Sequence, residues 1–179
     1  MGESGEHAVE RKTRNAPRWV ALAAVATAVL AVDQYTKEAV RASFEPGEGV
    51  HAFGAYWIQH FRNTGVAGGG LEGNALPLAV LSLIAVVLLY EFLAQRTHAG
   101  LTLAVGFGLL VGGGLGNLVD RWRLGWVTDF IRNGERAFNL ADVAIFVGGT
   151  IVLIALATSL VRMRLRGREL ATQPTSSGG

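Results

Sequence analysis

Four apolar runs punctuate the chain, at Trp19–Val32, Leu76–Leu93, Leu101–Val119 and Val143–Val161. The last three reach about eighteen residues, the length at which a helix rising 1.5 Å per residue crosses a hydrocarbon core of roughly 30 Å. The first attains spanning length if Pro17 and Arg18 sit at one end and Asp33–Lys37 at the other. Within the third run Gly108, Gly112 and Gly116 recur at every fourth position, a small-residue face that lets helices approach closely. Between the first two runs, Glu45-Pro46-Gly47-Glu48-Gly49 is turn chemistry, and Phe53–Phe61 (FGAYWIQHF) has the aromatic makeup of a short strand or an interfacial belt. Between the last two, Gly125–Ile131 predicts a short extended segment and Asn133-Gly134 a turn. The pattern predicts an all-α integral membrane protein: four transmembrane helices, a small extracytoplasmic β-sheet and a short outer loop region between helices 3 and 4. Residues 17–166 would form the membrane domain, flanked by disordered cytoplasmic tails at 1–16 and 167–179.

Composition agrees, with half of the 179 residues hydrophobic and only 17% charged. A net charge of +2 is too small to argue for nucleic acid, and the absence of cysteine removes disulfides and thiolate chemistry. The basic character is local. Arg11, Lys12, Arg14 and Arg18 precede the first run, while Arg162, Arg164, Arg166 and Arg168 follow the last. Basic flanks mark the cytoplasmic side, so both termini are expected there. The polar start and first run also fit a cleavable secretory signal. That run leads into Asp33–Lys37 and three further spans, which favours an uncleaved first helix.

The acids sharpen the picture. The four aspartates, Asp33, Asp120, Asp129 and Asp142, all lie at or near the end of an apolar segment. Carboxylates beside hydrocarbon are costly and mark candidate functional positions. Asp33 and Lys37 are four apart on one helix face and can pair. Asn117 and Asp120 leave the third run on roughly one side, and Arg121 is positioned to pair with Asp120. Asn139 is a plausible N-cap for the fourth helix, with Asp142 in its first turn. Two carboxylates from converging segment ends suit aspartic hydrolysis, in which like charges share one proton and the pair activates water between them. The scattered His7, His51, His60 and His98 offer a metal no evident home, and no cofactor is implied. Ser43 and Lys37, six apart, do not share a helix face as a serine mechanism would ask. A proton- or ion-coupled transporter would favour acids near mid-bilayer and repeated halves. A noncatalytic assembly protein with the same topology is the other alternative.

The ordered motifs Asp33-Gln34-x-x-Lys37, Asn63-x-Gly65, Gly116-Asn117-Leu118-Val119-Asp120-Arg121, Gly125-x-Val127-x-Asp129-Phe130 and Phe138-Asn139-x-Ala141-Asp142 resemble those of the lipoprotein signal peptidases (signal peptidase II). The resemblance runs from the first span to the fourth. It implies four membrane helices, an outer sheet cradling substrate, and a catalytic pair of Asp129 and Asp142. Asn117, Asp120, Arg121 and Asn139 would support the pair, and Asp33, Lys37, Asn63 and Gly65 also stand in motif positions. It implies an enzyme of the bacterial cytoplasmic membrane, with its site near the extracytoplasmic face. The substrate would be a lipidated prolipoprotein cut just before its diacylglyceryl cysteine, met among membrane phospholipids; no oligomer is implied. One departure is visible. The family usually places Phe three residues after the motif glycine, where Gly68 stands here, and the Gly65–Gly70 segment is accordingly expected to be mobile.

Overall fold

A computed structural model describes residues 3–65, 75–94 and 100–172. Its elements in chain order are α1 (Glu3–Ser43), β1 (Gly49–Phe53), β2 (Tyr56–Asn63), α2 (Ala75–Ala94), α3 (Gly100–Leu124), β3 (Val127–Asn133), β4 (Arg136–Phe138) and α4 (Leu140–Thr172). Helix α1 stops just before Pro46, whose ring disfavours helical geometry in the residue preceding it. Pro77 lies in the first turn of α2, where its missing N–H costs no hydrogen bond. Helical backbone extends past residues 17–166 at both ends. It includes residues 3–16, tolerating Pro17 inside α1, and continues to Thr172 in α4.

Helix α3 is the centre of the bundle and packs against α1, α2 and α4. Over half of its spanning window, 56%, is buried, against 17% for the windows of α1 and α4. Its glycines explain the intimacy. A Cβ on Gly108 or Gly112 would collide with the α1 backbone at Leu22 or Ala26, and one on Gly106 or Gly113 with α4 at Gly148 or Ala141. The expected small-residue face therefore meets α1, and a second one meets α4. Away from the strands, Leu22, Tyr90, Leu103, Ala104, Phe107, Val152 and Ala155 make the apolar core. Tyr90 stacks edge-on against Trp19, with ring centroids 4.8 Å apart. Large apolar side chains such as Val20, Val32, Phe146, Leu153 and Ile154 remain exposed. A bilayer accommodates such a surface and water does not. Among the described residues three helices are long and apolar enough to cross a membrane: Pro17–Ser43, Gly100–Leu124 and Leu140–Leu165. Helix α2 contributes a shorter apolar stretch, Ala79–Ala94.

The strands form one antiparallel sheet in the order β1-β2-β3-β4. The stretch Phe53–Phe61, expected as a short strand or an interfacial belt, is divided by a turn. Gly54 adopts φ +55° there, and Gly134 takes φ +60° in the β3–β4 connection. Both are the first central residue of a two-residue hairpin loop, the position that asks for glycine in a turn matched to strand twist. The sheet thus hangs its central strands, β2 and β3, beside the C-terminal ends of α1 and α3.

Candidate active site

The C-terminal ends of α1 and α3, the start of α4 and strand β3 meet in a polar cluster that is almost wholly buried. Asp33, Lys37, Asp120, Thr128, Asp129 and Asn139 are each 0–1% exposed, and Asn117 is 8% exposed. Lys37 Nζ lies 2.8 Å from Asp33 Oδ2 and 3.5 Å from Asp120 Oδ2, and donates to Asn117 Oδ1 at 2.9 Å. A buried ammonium is costly without partners, and two carboxylates and an amide oxygen offset that cost. Asp33 also reaches α4, where its Oδ1 accepts the Ala141 N–H at 3.0 Å. Gly116 makes this possible, because a Cβ there would run into the Asp33 carboxylate.

Helix α4 begins with a reciprocal cap. The Asp142 N–H donates to Asn139 Oδ1 at 3.0 Å, and the Asn139 N–H donates to Asp142 Oδ2 at 3.2 Å. Asn139 as N-cap and Asp142 three residues on satisfy two of the helix's free N–H groups, and Asp33 satisfies that of Ala141 between them. The expected cap is present, and it also aims Asp142 at its neighbours.

Three carboxamides then converge on the two aspartates. Asn117 Nδ2 donates to Asp142 Oδ1 at 2.8 Å. Asn139 Nδ2 donates to Asp129 Oδ1 at 2.6 Å, and Asn63 Nδ2 to Asp129 Oδ2 at 2.9 Å. In each amide the oxygen is held by a group that can only donate: Lys37 on Asn117, the Asp142 N–H on Asn139, and the Gly65 N–H on Asn63 at 2.9 Å. The amide orientations follow from the hydrogen-bond chemistry, and each NH₂ must face a carboxyl group. Asn139 also bridges the two halves, donating to Asn117 Oδ1 at 3.1 Å.

Asp129 lies on β3, outside the spanning helices. Burial pushes its carboxyl up from 3.8 to about 6, and the neighbouring Asp142 charge adds to the rise. The amides of Asn63 and Asn139 and the Lys37 charge pull the other way without cancelling it. Asp142 sits at a helix N-terminus, where the macrodipole favours an anion. Asp129 is thus adapted to hold a proton closer to neutrality than an ordinary carboxyl does.

The structure joins all but one of the sequence-derived candidates into this network. Arg121 does not pair with Asp120; its Nη1 donates to the Asn117 carbonyl at 3.3 Å. Asp120 instead faces Lys37 and Arg41, the latter at 3.5 Å from Oδ1, and its Oδ2 accepts the Thr128 N–H at 2.8 Å. The choice was made by α1, which delivers two cations to that side of α3. Three participants were missed. Gln34 donates to the Gly116 carbonyl at 3.0 Å, Arg41 donates to Thr128 Oγ1 at 2.8 Å, and the Thr128 carbonyl receives Asn139 Nδ2 at 3.4 Å. Arg41 was detectable in principle, standing one helical turn beyond Lys37 on the same face. Gly68 and most of its loop lie outside the described residues. Among the described residues no group of three His, Cys, Asp or Glu could hold a metal ion.

Comparison with known proteins agrees in scope. The family model for signal peptidase (SPase) II matches residues 25–158. The lipoprotein signal peptidase of Moorella thermoacetica is 38% identical over 151 residues, covering 81% of this chain and 96% of its own length. That of Gloeobacter violaceus is 34% identical over 168 residues, covering 90% and 96%. Two solved bacterial membrane enzymes, 28% and 27% identical, superpose with TM-scores of 0.64 and 0.63. They cover 75% and 74% of this chain and 85% and 89% of their own.

Proposed function

This chain belongs to the signal peptidase II family, and from that premise we propose that Asp129 and Asp142 are the catalytic pair of an aspartic peptidase. It is a bacterial membrane protein that removes signal peptides from prolipoproteins. The observation that carries the aspartic reading is the convergence of three amide NH₂ groups, each of fixed orientation, on these two carboxyl groups.

Chemistry follows from the unequal pair. A water held between the carboxyl groups gives a proton to the Asp142 carboxylate as its oxygen attacks the scissile carbonyl. Asp129 donates its proton to the carbonyl oxygen, leaving a neutral tetrahedral diol. Collapse of the diol returns a hydroxyl proton to Asp129, while Asp142 passes its proton to the departing nitrogen as the C–N bond breaks. The pair ends as it began. Asn117 and Asn139 keep Asp142 and Asp129 in register through this exchange, and Asn63 holds the far oxygen of Asp129. Lys37, Asp33 and Asp120 act behind them by fixing Asn117 and the start of α4.

The finer reading concerns placement. Residues 17–166 form the peptidase unit, α2 supplies a fourth span, both termini are cytoplasmic, and the pair lies at the extracytoplasmic interface. A prolipoprotein anchored by its signal helix and acyl chains would arrive by diffusion through the phospholipid and be cut just before its diacylglyceryl cysteine. The basic clusters at both chain ends support this orientation.

Purified Asp129→Asn and Asp142→Asn proteins should bind a synthetic lipidated precursor with near wild-type affinity. Each should cleave it at least about a thousandfold more slowly. Substantial turnover by either variant would remove that aspartate from the catalytic role.

A further inference from the structure

Resting on the catalytic pair proposed above, we infer that Arg41 is a positioning residue for the reaction, acting through the hydroxyl of Thr128. Arg41 lies outside the motifs that carry the family resemblance, and its hydrogen bonds and ion pairs go to Glu38, Thr128 and Asp120 rather than to the proposed catalytic aspartates. Its side chain is only 14% exposed. The guanidinium donates from Nη1 to Thr128 Oγ1 at 2.8 Å and stands 3.5 Å from Asp120 Oδ1. Its opposite edge holds Glu38 Oε2, at 2.7 Å from Nη2 and 3.2 Å from Nε. One planar group thus spans a hydroxyl and two carboxylates, which the point charge of a lysine cannot reproduce.

Thr128 is the residue immediately before Asp129 and is fully buried. Its N–H is held by Asp120 on α3, its carbonyl by Asn139 at the start of α4, and its hydroxyl by Arg41 on α1. Three helices therefore grip a single strand residue. Successive side chains on a strand point to opposite faces, so the clamp on Thr128 controls the roll of β3 about its own axis. That roll aims the Asp129 carboxyl on the other face. Freed on the α1 side, the strand can turn by a few degrees while its ladder to β2 persists, and Asp129 then misses the geometry shared with Asp142. A displacement of about 1 Å at a reacting group can cost on the order of a hundredfold in rate. Substrate affinity, set by contacts elsewhere, would be little changed.

The test uses the full-length protein in lipid-containing micelles with a synthetic lipidated precursor. It compares Arg41→Met, Thr128→Val and Thr128→Ser, with Asp129→Asn as a reference. Thr128→Val keeps the volume of the side chain and removes only the hydroxyl. Its kcat, normalised to folded protein by circular dichroism and gel filtration, should fall about tenfold with KM within about twofold. Thr128→Ser, which restores the hydroxyl, should recover most of that loss. Arg41→Met should fall by roughly ten- to a hundredfold, and the double variant should be no worse than Arg41→Met within about threefold, because both remove one contact. If Arg41→Met does not fold, the Val and Ser pair decides. A Thr128→Val kcat within twofold of wild type, or a loss confined to KM, overturns the proposal. So does a full sum of the two single losses in a folded double variant. Those outcomes with an inactive Asp129→Asn reject the positioning role alone, whereas an active Asp129→Asn rejects the catalytic pair itself.

Discussion

Replacing Asp129 by Asn should change how stability depends on pH in a way that can be worked out beforehand. In the folded protein Asp129 titrates near 6, against an ordinary 3.8, chiefly because it is buried. Its proton is therefore held more tightly in the folded chain than in the unfolded one. Wild type has no ionisation penalty below about pH 4, accumulates one as pH rises, and carries all of it above about pH 6. At about 1.36 kcal/mol per pH unit, the gap between 3.8 and about 6 amounts to about 3 kcal/mol. Asparagine does not ionise and escapes this term. It brings a constant cost instead: the carboxyl accepts N–H groups from Asn139 and Asn63 on its two oxygens, so one of them would face an amide NH₂. That cost, about 1–3 kcal/mol, is independent of pH. The difference between variant and wild type should consequently move by about 2–3 kcal/mol in favour of the variant between pH 4 and pH 8. Thermal unfolding in detergent micelles across that range reads it as a relative gain of about 5–10 °C for a chain of this size. Curves for the two proteins that stay parallel from pH 4 to 8 would show that Asp129 has no raised affinity for its proton. The assignment of Asp129 as the acid of the pair would then fail.

The same proton should appear in catalysis: kcat/KM should fall as pH rises through about 6. A kcat/KM that keeps rising above pH 7 would contradict this. Gly116→Ala should unfold more readily than wild type, because its Cβ enters the space of the Asp33 carboxylate, whereas Gly149→Ala, with nothing within 4 Å, should gain about 0.5–1 kcal/mol of helix propensity. Thermal unfolding of the two variants side by side checks the contrast. For orientation, a cysteine introduced at Asn133 should react with a membrane-impermeant maleimide added to intact spheroplasts, while labelling only after lysis would reverse the proposed topology.

Contacts within an element were legible from spacing. Asp33 and Lys37, four apart on α1, pair as helical geometry requires. Asn139 and Asp142, three apart, form a cap because the first turn of any helix leaves N–H groups free. Gly108, Gly112 and Gly116 announce a face on which another helix can lie close, since period-four spacing keeps them in one stripe. The apolar runs, and the acids at their ends, likewise need no tertiary information, because hydrocarbon solubility is a property of the segment. Partner choice between elements was beyond reach of such rules. Local spacing offered Asp120 its neighbour Arg121, but α1 brings Lys37 and Arg41 to the same carboxylate and Arg121 turns to a backbone carbonyl. The pairing of β2 with β3, some seventy residues away, on its other edge is set by the fold and not by either stretch alone. The orientation of the three carboxamides required knowing which group faces each oxygen, and one of those groups, Lys37, belongs to a different helix from its amide. The raised affinity of Asp129 for its proton also arises only when β3 is buried among α1, α3 and α4, since desolvation belongs to the assembled fold and not to any stretch of residues.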